Sequence, residues 1–168
     1  MDNSCRVRKM IESDGALLSK AFCEQGWRKE ESQLNEYFLL QQSKKHTVLV
    51  AEWERNPVGY LIVRPEAQEG PFAMRGIPEL VDFNVLIQYQ HRGFGNTLME
   101  VAEEMCQQAG YVSLAVGLHS GYGQAQRIYV KRGYLFDGSG TWYQGKQLEQ
   151  YAPCYNDDDL VLYMIKEL

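Results

Sequence analysis

Two glycines one residue apart, Gly93 and Gly95, stand in "YQHRGFGNTLMEVAEEM", directly before a segment with helical periodicity. A helix start exposes N–H groups that have no partner inside the helix, and the macrodipole adds roughly half a positive charge there. Glycines let an anion approach that backbone because no Cβ stands in the way. The chemistry this spacing offers is anion binding by main chain. A nucleotide P-loop needs G-x-x-x-x-G-K-[ST], because its lysine reaches the terminal phosphates. No such lysine follows here. A dinucleotide fingerprint needs a third glycine three residues after the second, where this chain has Leu98. That fingerprint also belongs near the start of a chain, and this loop lies in the middle.

Residues 90–95, Q-H-R-G-F-G, resemble the Q/R-x-x-G-x-G/A signature of the GNAT acetyltransferase superfamily, with Gln90, Gly93 and Gly95 in the defining places. A second stretch, "QAQRIYVKRGYLF", resembles that superfamily's A-x-x-x-Y-x-x-x-G-F/Y motif through Ala125, Tyr129, Gly133 and Tyr134. Both motifs occur in the family order with a strand between them. One departure stands out. Tyr122 occupies the place where the family usually has asparagine, which calls one coenzyme hydrogen bond into question.

The resemblance implies acetyl-CoA as the acyl-donor substrate. The loop of Gln90, His91, Arg92, Gly93, Phe94, Gly95 and Asn96 would hold its diphosphate through main-chain N–H groups. The pantetheine arm would pair with the strand at Val85, Leu86 and Ile87 like an added edge. A freed N–H in that stretch would meet the thioester carbonyl oxygen. Ala125 and Tyr129 would line the coenzyme side of the later helix, and Tyr129 would protonate the leaving thiolate. A phenol near pKa 10 is protonated at neutral pH and suits that task.

An acceptor amine must lose a proton before it attacks. Glu79 and Asp82 precede the glycine loop on one strand, three residues apart, so a regular strand points them to opposite faces. The resemblance favours Glu79 as base, acting through a water, with Asp82 as competitor. Either carboxylate could instead pair with a lysine or arginine, and His119 is a further candidate. No cysteine in the motif region offers an acyl carrier, since Cys106 lies in the helix stripe. Direct attack in a ternary complex is therefore expected. The acceptor expected is a primary amine of a small molecule or peptide. Trp27, Trp142, Tyr143, Tyr151 and Tyr155 are candidate aromatic walls for it. Asp157–Asp158–Asp159 reads as a solvated turn, and the net charge of −5 favours a basic acceptor over an acidic one. The alternatives are a non-catalytic acyl-CoA sensor or partner-binding module, a longer acyl donor, and a protein N-terminus as acceptor.

These residues need a scaffold. "CRVRKM" alternates like a strand, and "SDGALLSKAF" follows as a helix with Ser13 or Asp14 as N-cap. "EESQLNEYFLLQQ" is a second helix with Leu34, Tyr37, Phe38 and Gln41 on one face. "HTVLVAEW" and "PVGYLIVR" form a hairpin around "ERNP". "ELVDFNVLI" is the strand before the glycine loop. The helix after it has an apolar stripe at Leu98, Val101, Ala102 and Met105. "YVSLAVGL" is a strand, "GQAQRIYVKR" a helix closed by Gly133, "TWYQGKQLEQY" a hairpin and "LVLYMI" a buried strand. The fold class is α/β: a single domain over 1–168 with a mixed, mostly antiparallel central sheet flanked by helices, its central strands splayed.

Apolar residues make up 45% and charged residues 23% of the 168 residues, which is globular usage and excludes disorder. Lysines and arginines form no run, so no nucleic-acid partner is expected. The four cysteines make no C-x-x-C pair and no histidine completes a metal pattern. They read as reduced thiols of a cytoplasmic protein, with no metal site. No apolar run of about 18 residues is present, so no membrane span is expected. "MDNSCRVRKM" lacks the apolar core of a signal peptide. A homodimer through the C-terminal strands is a family-level expectation.

Overall fold

A computed structural model describes residues 5–168. The chain divides into two compact units, one of residues up to Arg64 with Val81–Met105, the other of Pro65–Leu80 with Cys106–Leu168.

The first unit holds β1 (Arg6–Lys9), α1 (Asp14–Glu24), α2 (Glu31–Gln42), β2 (Thr47–Trp53), β3 (Asn56–Arg64), most of β4 (Glu79–Val85) and α3 (Phe94–Cys106, whose last residue falls in the second unit). Its strands are hydrogen-bonded in the order β1-β2-β3-β4. The β2–β3 hairpin closes on Glu54 and Arg55, both with left-handed φ (50° and 66°). Two such residues make a primed turn, whose twist matches the flanking strands. No glycine marks it in the sequence.

Every second residue of β2 and β3 points to the helices, so Val48, Val50, Tyr60 and Ile62 pack with Leu18 and Phe22 of α1 and Leu34 of α2. The expected face of α2 is the one used. Its Gln41 amide donates to Met10 O at 2.8 Å and accepts from Val48 N at 3.0 Å, filling groups that β1 and β2 leave open. Ser13 stands at the N-cap of α1, one of the two expected residues, but its side chain makes no capping hydrogen bond. Asp14 instead accepts from Ile11 N at 2.8 Å, while Arg8 forks onto it at 2.6 and 2.9 Å and onto Glu52 at 2.6 Å.

Two departures lie in β4 and α3. Asp82 has φ of 48° inside a strand, a left-handed conformation that breaks the pleat. Val81 packs against the α1–α2 core, and Asp82 bonds to Tyr37 and Tyr60 of that same core. Two successive residues thus face one way, and the regular alternation assumed for Glu79 and Asp82 does not hold. Gly59 on β3 permits the close approach of β4 here. A Cβ there would lie 2.7 Å from Asn84 O. In α3 the buried column is Phe94, Leu98, Ala102 and Cys106, with Met99 beside it, while the expected Met105 is 45% exposed. Spacings of four and of three-then-four both suit a 3.6-residue period. Phe94, wedged edge-on against Trp53 and Tyr89 at 5.6 and 5.8 Å, selects the former.

The second unit holds the first two residues of β4, then β5 (Tyr111–Gly117), α4 (Gly123–Lys131), β6 (Leu135–Tyr143), β7 (Lys146–Gln147) and β8 (Leu160–Glu167), in strand order β4-β5-β8-β6-β7. β5 and β8 pair antiparallel from Tyr111↔Glu167 to Gly117↔Val161. β4 and β5 pair parallel over two positions only, Glu79↔Ser113 and Leu80↔Leu114. This short register is what splayed central strands look like. The strands make a mixed, mostly antiparallel sheet, as expected. The late hairpin turns on Gln144 and Gly145 (φ 50° and 74°). Ala67, Phe72 and Tyr163 form a small core with Ile77, Ala115, Trp142, Val161 and Ile165. Among the described residues no helix is long and apolar enough to cross a membrane.

Candidate active site

β4 ends at Val85 and a single 3-10 turn, Ile87–Tyr89, leads into the glycine loop. Gln90 Nε2 reaches back to Val85 O at 3.0 Å. The glutamine of the motif therefore ties the loop to the strand end. His91 (φ 59°) and Gly93 (φ 92°) then turn the backbone left-handed twice. The first bond of α3 runs from Thr97 N to Gly93 O at 3.0 Å, so the N–H groups of Phe94, Gly95 and Asn96 precede any acceptor inside the helix.

The two glycines serve different needs. A Cβ on Gly93 would meet nothing within 4 Å, so glycine is there for its φ. A Cβ on Gly95 would lie 3.1 Å from the Phe83 ring, so glycine is there for room. N–H groups that find no acceptor within the helix, a glycine turn and the positive end of a helix suit a diphosphate. Arg92 is folded back, its guanidinium over Trp53, Tyr89 and Phe94 at 5.0, 5.3 and 5.6 Å from the ring centres.

Of the three expected oxyanion donors, two are engaged. Leu86 N donates to Val58 O and Ile87 N to Gln25 Oε1, both at 2.9 Å. Gln25, in the α1–α2 connection, carries no sequence signal for this task.

The Asp82 carboxylate is the hub of a polar cluster. Oδ1 accepts from Lys29 Nζ at 2.8 Å and Asn84 Nδ2 at 2.7 Å. Oδ2 accepts from Tyr37 OH at 2.9 Å and Tyr60 OH at 2.8 Å. Burial by itself raises the carboxyl, but the charge and hydrogen bond of Lys29 and the two phenols outweigh it and hold Asp82 below the ordinary carboxylate range. Burial and then the Asp82 charge push both phenols up. A carboxylate with four donors on its two oxygens is a weak proton acceptor. That argues against Asp82 as the base, and realises the pairing with a lysine that the sequence left open.

In the second unit Glu79 is 5% exposed and stands opposite Ser113. It acts on Tyr163, whose phenol is pushed up to about 12 by burial first and then by Glu79, Glu69 and Asp137.

Tyr129 shows why its motif has the spacing it has. Gly133, at φ 91°, ends α4. Tyr134 N donates to Tyr129 O at 3.0 Å and Gly133 N to Val130 O at 3.1 Å. This is the paired bonding of a Schellman cap, and the Tyr129 and Tyr134 rings make its apolar contact at 5.8 Å. Burial, then Tyr122, raises the Tyr129 phenol, so it stays protonated at neutral pH. Ala125 lies one turn earlier on the same helix. Gln126 Nε2 anchors the helix start to Gly117 O at 2.8 Å.

Tyr122 lies against Gly117, where a Cβ would overlap its ring. Its hydroxyl donates to Asp158 Oδ1 at 3.0 Å, and His119 Nε2 meets the same oxygen at 2.8 Å. His119 Nδ1 accepts from Gly121 N at 3.0 Å, so its proton sits on Nε2, which donates to Asp158. His119 is thereby a loop fastener. Asp157 accepts from Tyr143 OH and Asp159 N, both at 3.0 Å. The acidic run is exposed as expected but organises its loop. Of the aromatic candidates, Trp142 packs in the core 5.4 Å from Tyr163, and Trp27 stacks on Phe22 at 5.9 Å. Tyr151 and Tyr155 are 94% and 76% exposed.

The profile of the Acetyltransferase (GNAT) family matches residues 16–134, a span that includes both motifs. No curated protein sequence gives a significant match. Three solved structures are similar over nearly the whole chain. A ribosomal-protein-alanine N-acetyltransferase from Brucella melitensis has 20% identity and a TM-score of 0.68, over 97% of this chain and 99% of that one. A GNAT-family acetyltransferase from Streptococcus pneumoniae has 19% identity and a TM-score of 0.67, over 98% and 100%. The PaiA N-acetyltransferase from Thermoplasma acidophilum, solved with coenzyme A, has 18% identity and a TM-score of 0.64, over 98% and 99%. At these identities the shared property is the fold. With the family profile spanning well over half of its length, the chain belongs to the GNAT acetyltransferases.

Proposed function

We propose that this enzyme moves an acetyl group from acetyl-CoA to a primary amine of a small molecule or peptide by direct attack in a ternary complex. The observation that carries the reading is the start of α3. There Gly93 supplies the turn, Gly95 supplies the room, and the N–H groups of Phe94, Gly95 and Asn96 lie at the helix end, where a diphosphate would bind. Gln90 holds that cradle to β4.

In this reading the thioester carbonyl meets the Val85 N–H at the end of β4, while Leu86 N and Ile87 N donate to Val58 O and Gln25 Oε1. Glu79 takes the amine's proton, directly or through a water. The saturated carboxylate of Asp82 supports this choice. Tyr129 acts as a donor to the leaving sulfur. Its raised phenol holds its proton more tightly than a thiol near pKa 8.5, so it stabilises the thiolate chiefly by an O–H···S hydrogen bond. Tyr122 bonds to Asp158 and so does not reproduce the usual asparagine contact to the coenzyme.

The test is thiol release from acetyl-CoA against an amine library, run beside calorimetry with coenzyme A. Turnover with at least one primary amine is the expected result. Coenzyme binding without thiol release from any amine would leave a binding module, and no coenzyme binding at all would remove the whole reading.

A further inference from the structure

The Asp82 cluster has parts of two kinds. Tyr37, Tyr60 and Asn84 are neutral donors, and Tyr60 and Asn84 are fixed on β3 and β4. Between them they donate to both carboxylate oxygens and bring no charge of their own. Lys29 is different. It is a long side chain on the exposed α1–α2 connection, and it brings the positive charge. Its ammonium sits 5.8 Å from the centre of the Tyr60 ring, Tyr60 stands edge-on to Phe22, and Phe22 stacks on Trp27. A carboxylate ringed by phenols beside an aromatic face is the chemistry of an alkylammonium site.

The backbone at Lys29 is held separately. Ser19 Oγ donates to Lys29 O at 2.7 Å. The side chain can leave without releasing the loop. Nor is the pair sealed, for the two side chains are 19% and 21% exposed. A latch would tie the loop through the ion pair, whereas here the loop is tied elsewhere.

We infer that Lys29 is an internal stand-in for an ammonium group of the acceptor, and that preferred acceptors are diamines whose non-reacting ammonium replaces Lys29 on Asp82. This rests on the amine-acetyltransferase reading above. Asp82 is three residues from Val85 along β4, a span of at most roughly 10 Å. That span suits a long α,ω-diamine better than a short one. The distal nitrogen stays protonated on the carboxylate while the near one, uncharged, attacks.

The experiment compares putrescine, cadaverine and octamethylenediamine with the matching monoamines, by thiol release. In the wild-type enzyme kcat/KM for octamethylenediamine should exceed that for octylamine about tenfold, which is about 1.4 kcal/mol, and putrescine should show little advantage over butylamine. Lys29→Met should raise the long-diamine preference further, by about fivefold, because the site is then empty. Lys29→Arg, which keeps a cation there, should not raise it. Asp82→Asn should bring the ratio close to one, and the Lys29 pair of variants decides the matter should that variant fold poorly. Calorimetry of octamethylenediamine into Lys29→Met without acetyl-CoA should give binding heat. A diamine preference that is flat with length, or one that falls in Lys29→Met, overturns the inference. If no amine releases thiol but octamethylenediamine still binds Lys29→Met, the acetyl-transfer reading fails and the ammonium site stands. Transfer to monoamines with no diamine preference sinks the ammonium site alone.

Discussion

Asp82→Asn is a sharp test of the electrostatics because it changes charge and little else. Asparagine has the same shape and tolerates the left-handed φ of 48°, so backbone strain should not enter. What goes is the charge that Lys29 and two phenols address. Removing one partner of a fully buried pair costs about 3–5 kcal/mol, and an exposed pair is worth about 0–1 kcal/mol. With four-fifths of both side chains covered, the loss should fall near the buried limit, at about 3 kcal/mol in urea unfolding at pH 7. For a chain of this size that corresponds to a Tm lower by about 6–12 °C.

The pH dependence gives a second reading. The folded Asp82 carboxyl lies below its unfolded value, so its stabilisation is complete above the unfolded pKa of about 3.9 and disappears as pH falls through the folded pKa. The stability gap between wild type and variant should therefore be constant from about pH 7 to pH 5 and close below about pH 4. A gap under about 1 kcal/mol at pH 7, or one that persists undiminished at pH 3, would refute this account of the cluster.

The other expectations concern the coenzyme and the chemistry. Gly93→Ala forces a Cβ into φ 92°. It should cost about 1–2 kcal/mol of stability and weaken coenzyme A binding at least about tenfold by calorimetry, with Gly93→Asn milder on both counts. Tyr129→Phe should lower kcat at least about tenfold with coenzyme affinity unchanged, and an unaltered kcat would take the phenol out of the reaction. Glu79→Gln should reduce the rate most at pH values below the acceptor amine's own pKa and least above it. An equal loss at all pH values would give Glu79 a structural role.

What was legible in the sequence was local. The Schellman cap needs residues four and five apart, so Tyr129, Gly133 and Tyr134 stand in one motif, and the glycine loop carries its turn and its room two positions apart, at Gly93 and Gly95. The element order followed from periodicity. The Asp82 cluster was not legible, because Tyr37 and Lys29 join it across 45 and 53 residues, and no local pattern encodes such a meeting. Nor was the pleat break visible, since aspartate does not announce a left-handed φ as glycine does. The Gln25 bond to Ile87 N spans 62 residues and escaped for the same reason. In α3, Met105 and Cys106 both fit a helical stripe, and a tertiary contact of Phe94 decided between them.

The cap on α4 has a consequence for how this chain can vary over time. Tyr129 supplies a carbonyl to end its helix, and in the proposed mechanism its phenol meets the leaving sulfur, so one residue would anchor both. Inserting or deleting a single residue between 129 and 133 would swing later side chains by about 100° around the axis and undo the stop at the same moment. Insertions and deletions should therefore be purged from this short interval, while the exposed stretch around Tyr151 and Tyr155 can gain or lose length at small cost.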